Sequence, residues 1–144
     1  MCTITIYTKK IYKSKKSKVM NLNQITIPSL DVAKSTTFYQ TLGLKLIVDA
    51  LPRYVRFECP DGDATFSIHK VESLPNGKGI TIYFEDDNLD DLVSSLQSKG
   101  IIFTSEPEDM SYLWREAYLQ DPDGNNIILF HAGTNRKNPP WRIN

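Results

Sequence analysis

The residues best placed to do chemistry in this sequence are His69 and Glu116. Each lies in a segment whose alternating pattern predicts a β-strand, Ala64–Val71 and Leu113–Gln120. An imidazole beside a carboxylate can transfer protons near neutral pH, so the two are candidate acid and base. A single strand histidine is more often structural, however, and a buried glutamate needs a partner, for which Arg56 and His69 are the candidates. The sequence leaves both interpretations open.

The second histidine and the cysteines indicate no further catalytic centre. His131 ends a predicted strand and is interpreted as structural. Cys2 and Cys59 are the only cysteines, and they lack the spacing of a disulfide framework or a zinc site. Cys59 is typical of a small buried residue. Because unspaced thiols suit a reducing compartment, we expect a cytoplasmic protein.

Hydrophobic periodicity predicts the elements that must position these residues. Residues 20–75 have the pattern of a strand, a helix and three strands, and residues 76–132 repeat it. Neither four-stranded sheet can bury both faces alone, so the two units must share a core. The sequence therefore predicts an α+β fold of two tandem βαβββ modules. The predicted strands are Asn21–Pro28, Leu44–Val48, Tyr54–Cys59, Ala64–Val71, Gly79–Glu85, Ile101–Thr104, Leu113–Gln120 and Asn126–His131, and the helices are Val32–Leu42 and a segment from Leu89 that ends at Gly100.

Capping and turn residues support these boundaries. Asp31 is a good N-cap for the first helix, and Gly43 supplies its C-terminal stop. Asp87 or Asn88 is expected to cap the second helix. The run Asp121-Pro122-Asp123-Gly124 has the composition of a tight turn between the last two strands.

Charge is divided unevenly along the chain. The sequence has 17 basic and 17 acidic side chains, and six of the lysines lie in residues 1–19, which hold no acid. The rest therefore carries 11 basic against 17 acidic side chains, a net charge of −6. This disfavours nucleic-acid binding, and no apolar run approaches the roughly 20 residues that span a membrane. We expect the basic leader 1–19 to be disordered or to lie upstream of a second start at Met20; the alternatives are an interaction arm or a weak organellar presequence.

Three segments, in the right order, carry a family likeness. Residues 31–44, DVAKSTTFYQTLGL, resemble the first-helix signature D-hydrophobic-x-x-S-x-x-F-Y…L-G-F; residues 96–100, LQSKG, end a helix placed like the second one; and residues 121–125, DPDGN, resemble a last hairpin. Together they resemble the vicinal oxygen chelate superfamily of glyoxalase I, bleomycin-resistance proteins and extradiol dioxygenases. The resemblance implies modules with curled mixed sheets, each a half-barrel cup lined by inward side chains.

The resemblance also implies four strand positions that hold a divalent ion in the metalloenzymes of the superfamily. In this chain they correspond to Gln24, Ser67, Thr81 (or Gly79 if the register slips) and Ile128. Only Gln24 is a useful ligand, because a neutral hydroxyl binds transition ions poorly and isoleucine has no lone pair. We therefore predict that the inherited metal site is lost and that the protein needs no cofactor.

Strand alternation places Trp114, Glu116 and Tyr118 on one face, with Ala117 and Leu119 on the other. The segment Arg115-Glu116 before DPDGN resembles the W-G-x-R-E-x…D-P-x-G segment of metal-free bleomycin-resistance proteins, although here the tryptophan directly precedes the arginine. That branch binds planar molecules on aromatic side chains. The resemblance implies a metal-free protein that holds an aromatic or amphiphilic ligand in its cup. The predicted ligand-binding residues are Gln24, Ser67, His69, Thr81, Tyr83, Trp114, Glu116 and Tyr118.

Two other functions remain open. One is a lyase, isomerase or dioxygenase-type enzyme that uses Glu116 and His69 as acid and base, or a relocated metal site that adds Gln24. The other is an accessory subunit with a vestigial pocket. The resemblance further implies a homodimer, which would bury exposed strand edges. In the tail 133–144, Trp141 is expected to dock over the pocket mouth or across a dimer seam.

Overall fold

The computed structural model describes residues 20–143, which form two four-stranded mixed sheets and two helices. The α+β fold of two βαβββ modules is therefore confirmed. The elements are β1 (Gln24–Ser29), α1 (Val32–Leu42), β2 (Lys45–Ala50), β3 (Tyr54–Glu58), β4 (Thr65–Lys70), β5 (Thr81–Glu85), α2 (Leu89–Ser98), β6 (Glu108–Asp109), β7 (Arg115–Gln120) and β8 (Asn126–His131), followed by a 3-10 turn at Gly133–Arg136.

The two sheets have the same topology. The first has the strand order β1-β4-β3-β2 and the second the order β5-β8-β7-β6. In each, the first and last strands of the module pair in parallel, and the other pairs are antiparallel. A parallel pair needs a crossover, which the intervening helix begins. The repeat seen in the sequence is thus a repeat of structure.

The first helix begins and ends where its capping residues predict. The Asp31 side chain accepts a hydrogen bond from the Lys34 backbone N–H at 3.1 Å, which satisfies one unpaired donor of the first turn. Gly43 closes the helix at a φ of 108°, a left-handed conformation that favours glycine. At α2, Asn88 occupies the N-cap position but its side chain makes no capping bond; its backbone N–H instead donates to Asp86.

The predicted strand Ile101–Thr104 is wrong. Only Phe103 forms a bridge there, to Leu119, and the edge strand β6 lies further along the chain. The backbone N–H groups of Thr104 and Ser105 both donate to the carbonyl of Tyr118, so the pairing register slips at this point. Pro107 then prevents a regular ladder because it has no N–H to donate. In residues 101–104 the alternation of burial reflects half-buried side chains at Ile101 and Phe103, without the pairing of a strand.

One hydrophobic core joins the modules. It contains side chains of α1 and the first sheet, such as Tyr39 and Phe66, together with side chains of α2 and the second sheet, such as Val93 and Leu129. Ala117 and Leu119 are buried in it, as their place in the alternation predicts. The rings of Phe66 and Phe84 meet across the seam with centroids 6.1 Å apart.

The DPDGN turn locks the seam between the modules. The Tyr39 hydroxyl donates to Asp121 at 2.6 Å, and the Ser35 hydroxyl and the Leu30 N–H donate to Asp123. Asp121 also accepts the backbone N–H groups of Asp123 and Asn125. Burial, followed by the Asp121 charge and hydrogen bond, raises the Tyr39 pKa well above its ordinary value. The resemblance motifs at residues 31–44 and 121–125 therefore contact each other.

Each sheet turns its second face away from the shared core. We call these face A, on the first sheet, and face B, on the second. Face A carries three rows across the strands: Gln24, Thr65, Glu58 and Lys45; Thr26, Ser67, Arg56 and Val48; and Pro28, His69, Tyr54 and Ala50. Face B carries Thr81, Asn126 and Gln120; Tyr83, Ile128 and Tyr118; and Glu85, Phe130, Glu116 and Glu108.

The leader 1–19 lies outside the described residues, so the expectations for it stay untested. Within residues 20–143, the two helices are too short and too polar to cross a membrane. Trp141 in the tail is 57% exposed and does not line the large groove that contains Trp114 and Phe130. Its expected docking across a dimer seam stays a prediction.

Candidate functional site

Face B carries a cluster of four aromatic side chains. Trp114 stacks on Phe130 with centroids 4.7 Å apart and an interplanar angle of 19°. The rings of Tyr83 and Tyr112 meet Trp114 edge to face at 6.0 and 5.9 Å. The Trp114 indole N–H donates to the Asn135 carbonyl, so the 3-10 turn fixes its orientation. Tyr83 is 48% exposed, which leaves an aromatic surface available to a ligand.

Glu116 lies buried beside this cluster, with 1% of its surface exposed. Its two carboxylate oxygens accept one hydroxyl each, from Tyr112 at 2.7 Å and from Tyr118 at 2.5 Å. The expectation that Arg56 or His69 is its partner is therefore wrong within one chain. A carboxylate with two phenol donors is satisfied without a cation, which is why it tolerates burial at a strand position.

The Glu116 carboxylate changes the pKa values of Tyr112 and Tyr118. Their hydrogen bonds to Glu116, followed by desolvation, raise the pKa values of Tyr112 and Tyr118 above the ordinary value. Both phenols therefore keep their protons at neutral pH and act as donors. Tyr112 lies on the turn Met110–Trp114, in which Leu113 has a φ of 67°, a left-handed conformation that is uncommon for leucine.

Face A has a different character, because hydroxyls and charges line it. The hydroxyls of Thr26 and Ser67 share a hydrogen bond of 2.6 Å between β1 and β4. The Arg56 Nε donates to the Tyr54 hydroxyl at 2.9 Å, and the guanidinium also lies over the Tyr54 ring. Burial opposes ionisation of Tyr54, but hydrogen bonds from Ser67 and Arg56 and the Arg56 charge outweigh it and lower the Tyr54 pKa.

The structure divides the predicted ligand-binding residues between the two faces. Gln24, Ser67 and His69 lie on face A, and the others lie on or beside face B, namely Thr81, Tyr83, Trp114, Glu116 and Tyr118. His69 makes no hydrogen bond to Glu116, so a single chain does not form the predicted acid–base pair or the trio that includes Gln24. Among residues 20–143, no group of three or more His, Cys, Asp or Glu side chains could hold a metal ion.

The positions of the superfamily's metal ligands do not fit a metal ion in this chain. Gln24 and Thr65 are already joined by a side-chain hydrogen bond of 3.0 Å. Ser67 is fully buried and bonded to Thr26, and Ile128 packs against the face B aromatics. Thr81 offers only a neutral hydroxyl. One amide, two hydroxyls and one alkyl side chain are not the donor set of a divalent transition ion.

Two grooves lie along face B. The larger, of about 770 Å³, runs from Tyr83, Trp114 and Phe130 around the β5 edge to Leu42, Leu44 and Cys59 of the first module. The smaller, of about 280 Å³, is lined by Thr81, Tyr118 and Ile128 among others. The larger volume lies within the range of small-molecule sites. Burial raises the pKa of the Cys59 thiol in this groove, which disfavours a role as a nucleophile.

Sequence reasoning missed two important residues, Phe130 and Tyr112, and named Arg56 only as a candidate partner of Glu116. Phe130 follows Ile128 by two positions, so the strand alternation that placed Ile128 also places Phe130. Arg56 follows from the same rule applied to β3. Tyr112 lies in a turn, where no periodicity indicates a direction. Arg115, by contrast, is structural, because its guanidinium binds Asp90 and Asp109 at 2.9 and 3.1 Å and holds α2 beside β6.

Comparison with known proteins identifies the family. The model of the Glyoxalase/Bleomycin resistance protein/Dioxygenase superfamily matches residues 21–129, and the chain belongs to this superfamily. A glyoxalase/bleomycin resistance protein/dioxygenase from Nocardioides is 20% identical over 88% of this chain and 91% of its own, with a TM-score of 0.70. No curated protein sequence matches the chain significantly.

Two further structures show the breadth of the similarity. A superfamily member from Sphaerobacter thermophilus is 26% identical over 78% of this chain and 98% of its own, with a TM-score of 0.64. A lactoylglutathione lyase from Agrobacterium tumefaciens is 16% identical over 77% and 92% of the two chains, also with a TM-score of 0.64. At these identities the structures show the fold, and function must be argued from the site.

Proposed function

We propose that the protein is a metal-independent binding protein whose face B holds a planar aromatic or amphiphilic small molecule. The observation that carries the proposal is the cluster of Tyr83, Trp114 and Phe130, which line the 770 Å³ groove, with Tyr112 packed edge to face on Trp114. Stacked and edge-to-face rings in a fixed arrangement offer a flat ligand a preformed surface. The donor set at the superfamily's metal positions supports the metal-independent part.

Dimerisation is part of the proposal, because the two faces complement each other in charge. Face A carries two cations, Lys45 and Arg56, against one acid, Glu58, which pairs with Lys45. Face B carries three acids, the buried Glu116, the partly exposed Glu85 and the exposed Glu108, and among residues 20–143 only Glu85 has a cationic neighbour, Arg136 at 3.6 Å. Opposite potentials favour face A of one subunit against face B of another, which would enclose the groove. A cytoplasmic location remains our expectation.

Calorimetric titration tests ligand binding on face B. A neutral planar probe, naphthalene-2-carboxamide, should bind saturably to EDTA-treated protein. Trp114→Ala should raise the Kd about tenfold, roughly 1.4 kcal/mol, because it removes the stacked ring. Ile102→Ala is the matched control, since Ile102 is 84% exposed and lines neither groove. Equal loss in both variants, or no saturable binding by the unmodified protein, contradicts the proposal.

An enzyme is the second candidate, favoured by the buried Glu116 carboxylate between two phenols. The acid–base pair would require His69 of a second subunit, because within one chain the two residues lie on separate faces. Metal stoichiometry after incubation with zinc, nickel, manganese or iron(II) separates the form of this candidate that adds Gln24 as a relocated metal site from the first candidate. Close to one ion per chain, abolished by Glu116→Ala, favours a relocated metal site; near-zero occupancy favours binding without metal.

A further inference from the structure

Face A contains one guanidinium, that of Arg56, among polar neighbours, and the proposed function uses it only as a positive charge at a dimer interface. Thr26, Ser67 and Arg56 occupy one row across β1, β4 and β3, in adjacent register positions. Side chains directly opposite on paired strands have Cβ atoms about 5 Å apart. Arg56 and the exposed Thr26 therefore flank the fully buried Ser67, whose hydroxyl bonds that of Thr26, and the Tyr54 hydroxyl lies beside them in the next row.

The Arg56 guanidinium lacks an acidic partner. Its only hydrogen bond within residues 20–143 is from Nε to the neutral Tyr54 hydroxyl, and none of the ion pairs of this region includes it. The nearest acid on its own strand, Glu58, pairs with Lys45 on the neighbouring strand. Arg115, by contrast, pairs with two aspartates, Asp90 and Asp109. The two terminal amino groups of Arg56 remain available to an external acceptor.

We infer that the Thr26–Ser67–Arg56 row is a binding subsite for the oxyanion group of a ligand, a carboxylate or a phosphate. A guanidinium presents parallel N–H donors that match two oxygens of such a group. The exposed Thr26 hydroxyl supplies a further neutral donor when it accepts its hydrogen bond from the buried Ser67. The half-buried position of Arg56 limits the competition from water. The lowered pKa of Tyr54 agrees with a positive local potential.

This inference concerns the sheet opposite the aromatic cluster and holds independently of the proposed function. If the faces of two subunits meet, one ligand could contact both, with its ring on face B and its oxyanion on face A. The test therefore uses oxyanions without rings, namely inorganic phosphate and acetate. Sodium chloride at matched ionic strength reports the effect of screening alone.

The experiment is a titration followed by amide NMR of the full chain. Phosphate, acetate or both should produce saturable shifts at Thr26, Arg56 and Ser67, and which of them binds identifies the oxyanion class. Arg56→Gln should raise the Kd at least about tenfold, and Arg56→Lys, which keeps the charge but loses the fork, should have an intermediate effect. Arg53→Gln is the control, because Arg53 is exposed in the preceding turn; its Kd should change less than about twofold.

Three outcomes would overturn the inference. The shifts could be linear and equal to those of chloride. Arg53→Gln could weaken binding as much as Arg56→Gln does. Arg56→Gln could weaken only dimerisation, which would make Arg56 an interface residue. If Arg56→Gln fails to fold, the Arg56→Lys variant alone tests the inference. Unchanged binding of phosphate and acetate by Arg56→Lys would show that the paired N–H donors of the guanidinium are not needed. Failure of naphthalene-2-carboxamide to bind would leave all these results standing.

Discussion

Faces A and B occupy the same place in two modules of the same topology, yet their chemistry is opposite. The central row of face A is Thr26, Ser67 and Arg56, and that of face B is Tyr83, Ile128 and Tyr118. The core side of both sheets is mostly apolar and merges into one cluster. Packing therefore constrains one side of each strand, while the other side is free to diverge. Function in this molecule is to be sought in that divergence.

The largest expected effect tests whether the Glu116 carboxylate on face B stabilises the folded protein. Glu116→Ala removes the acceptor of two phenols and leaves a cavity, so the free energy of unfolding should fall by about 2–3 kcal/mol. Glu108→Ala, an exposed substitution directly opposite on the same face, should change it by less than about 0.5 kcal/mol. Urea denaturation measures both. Equal effects would mean that Glu116 is as loosely held as Glu108.

The next effect concerns the seam that both faces share. Tyr39→Phe removes the hydrogen bond to buried Asp121, which keeps its backbone donors, so the cost should be about 1–2 kcal/mol. The folded Tyr39 pKa is raised, whereas an unfolded tyrosine ionises near about 10. The stabilisation is thus complete below about pH 10 and declines as the pH rises toward the folded pKa. From pH 9 to 11, the free energy of unfolding should fall more steeply in the unmodified protein than in Tyr39→Phe. Parallel curves of this free energy against pH would contradict this account.

A smaller effect, that of salt on dimerisation, tests the difference in charge between faces A and B. If face A of one subunit meets face B of another, raising the salt concentration from 50 to 500 mM should weaken dimerisation several-fold, because screening reduces the attraction between opposite charges. Sedimentation equilibrium measures the dissociation constant. A dimer strengthened by salt would indicate an apolar interface elsewhere, and a monomer at all concentrations would refute the pairing.

The smallest effect is expected from the tail. Removal of residues 138–144 takes away Trp141, which is more than half exposed in the single chain. If Trp141 docks across a dimer seam, the truncated chain should dimerise or bind naphthalene-2-carboxamide a few-fold more weakly. Removal of Asn144 alone serves as the control. A truncated chain unchanged in both properties would exclude a role for the tail.

The sequence predicted the fold well because local signals agreed with one another. Helix α1 begins after Asp31 and ends before Gly43, as these capping residues predict. Alternation along β7 correctly placed Ala117 in the core and Glu116 on the opposite face. The error at Ile101–Thr104 arose because a short apolar run can pack without pairing. The partners of Glu116 escaped prediction for a different reason. Tyr112 lies in a turn, whose side-chain directions follow from tertiary packing and not from any period.

The site was predicted residue by residue but not as an arrangement. Alternation shows which side chains share a strand face, but it does not show that His69 and Glu116 belong to separate faces. That separation follows from how the two sheets pack through their helices. The unpaired state of Arg56 likewise depends on Glu58 pairing with Lys45 across the strands.

The central claim is that face B binds a planar ligand without a metal ion, and amide NMR of EDTA-treated protein tests it most directly. On titration with naphthalene-2-carboxamide, we predict saturable shifts at Tyr83, Trp114 and Phe130 that added zinc leaves unchanged, with face A unaffected except where a dimer brings it into contact. Shifts that require zinc, or that are centred on Gln24 and His69 and absent from face B, would contradict the account.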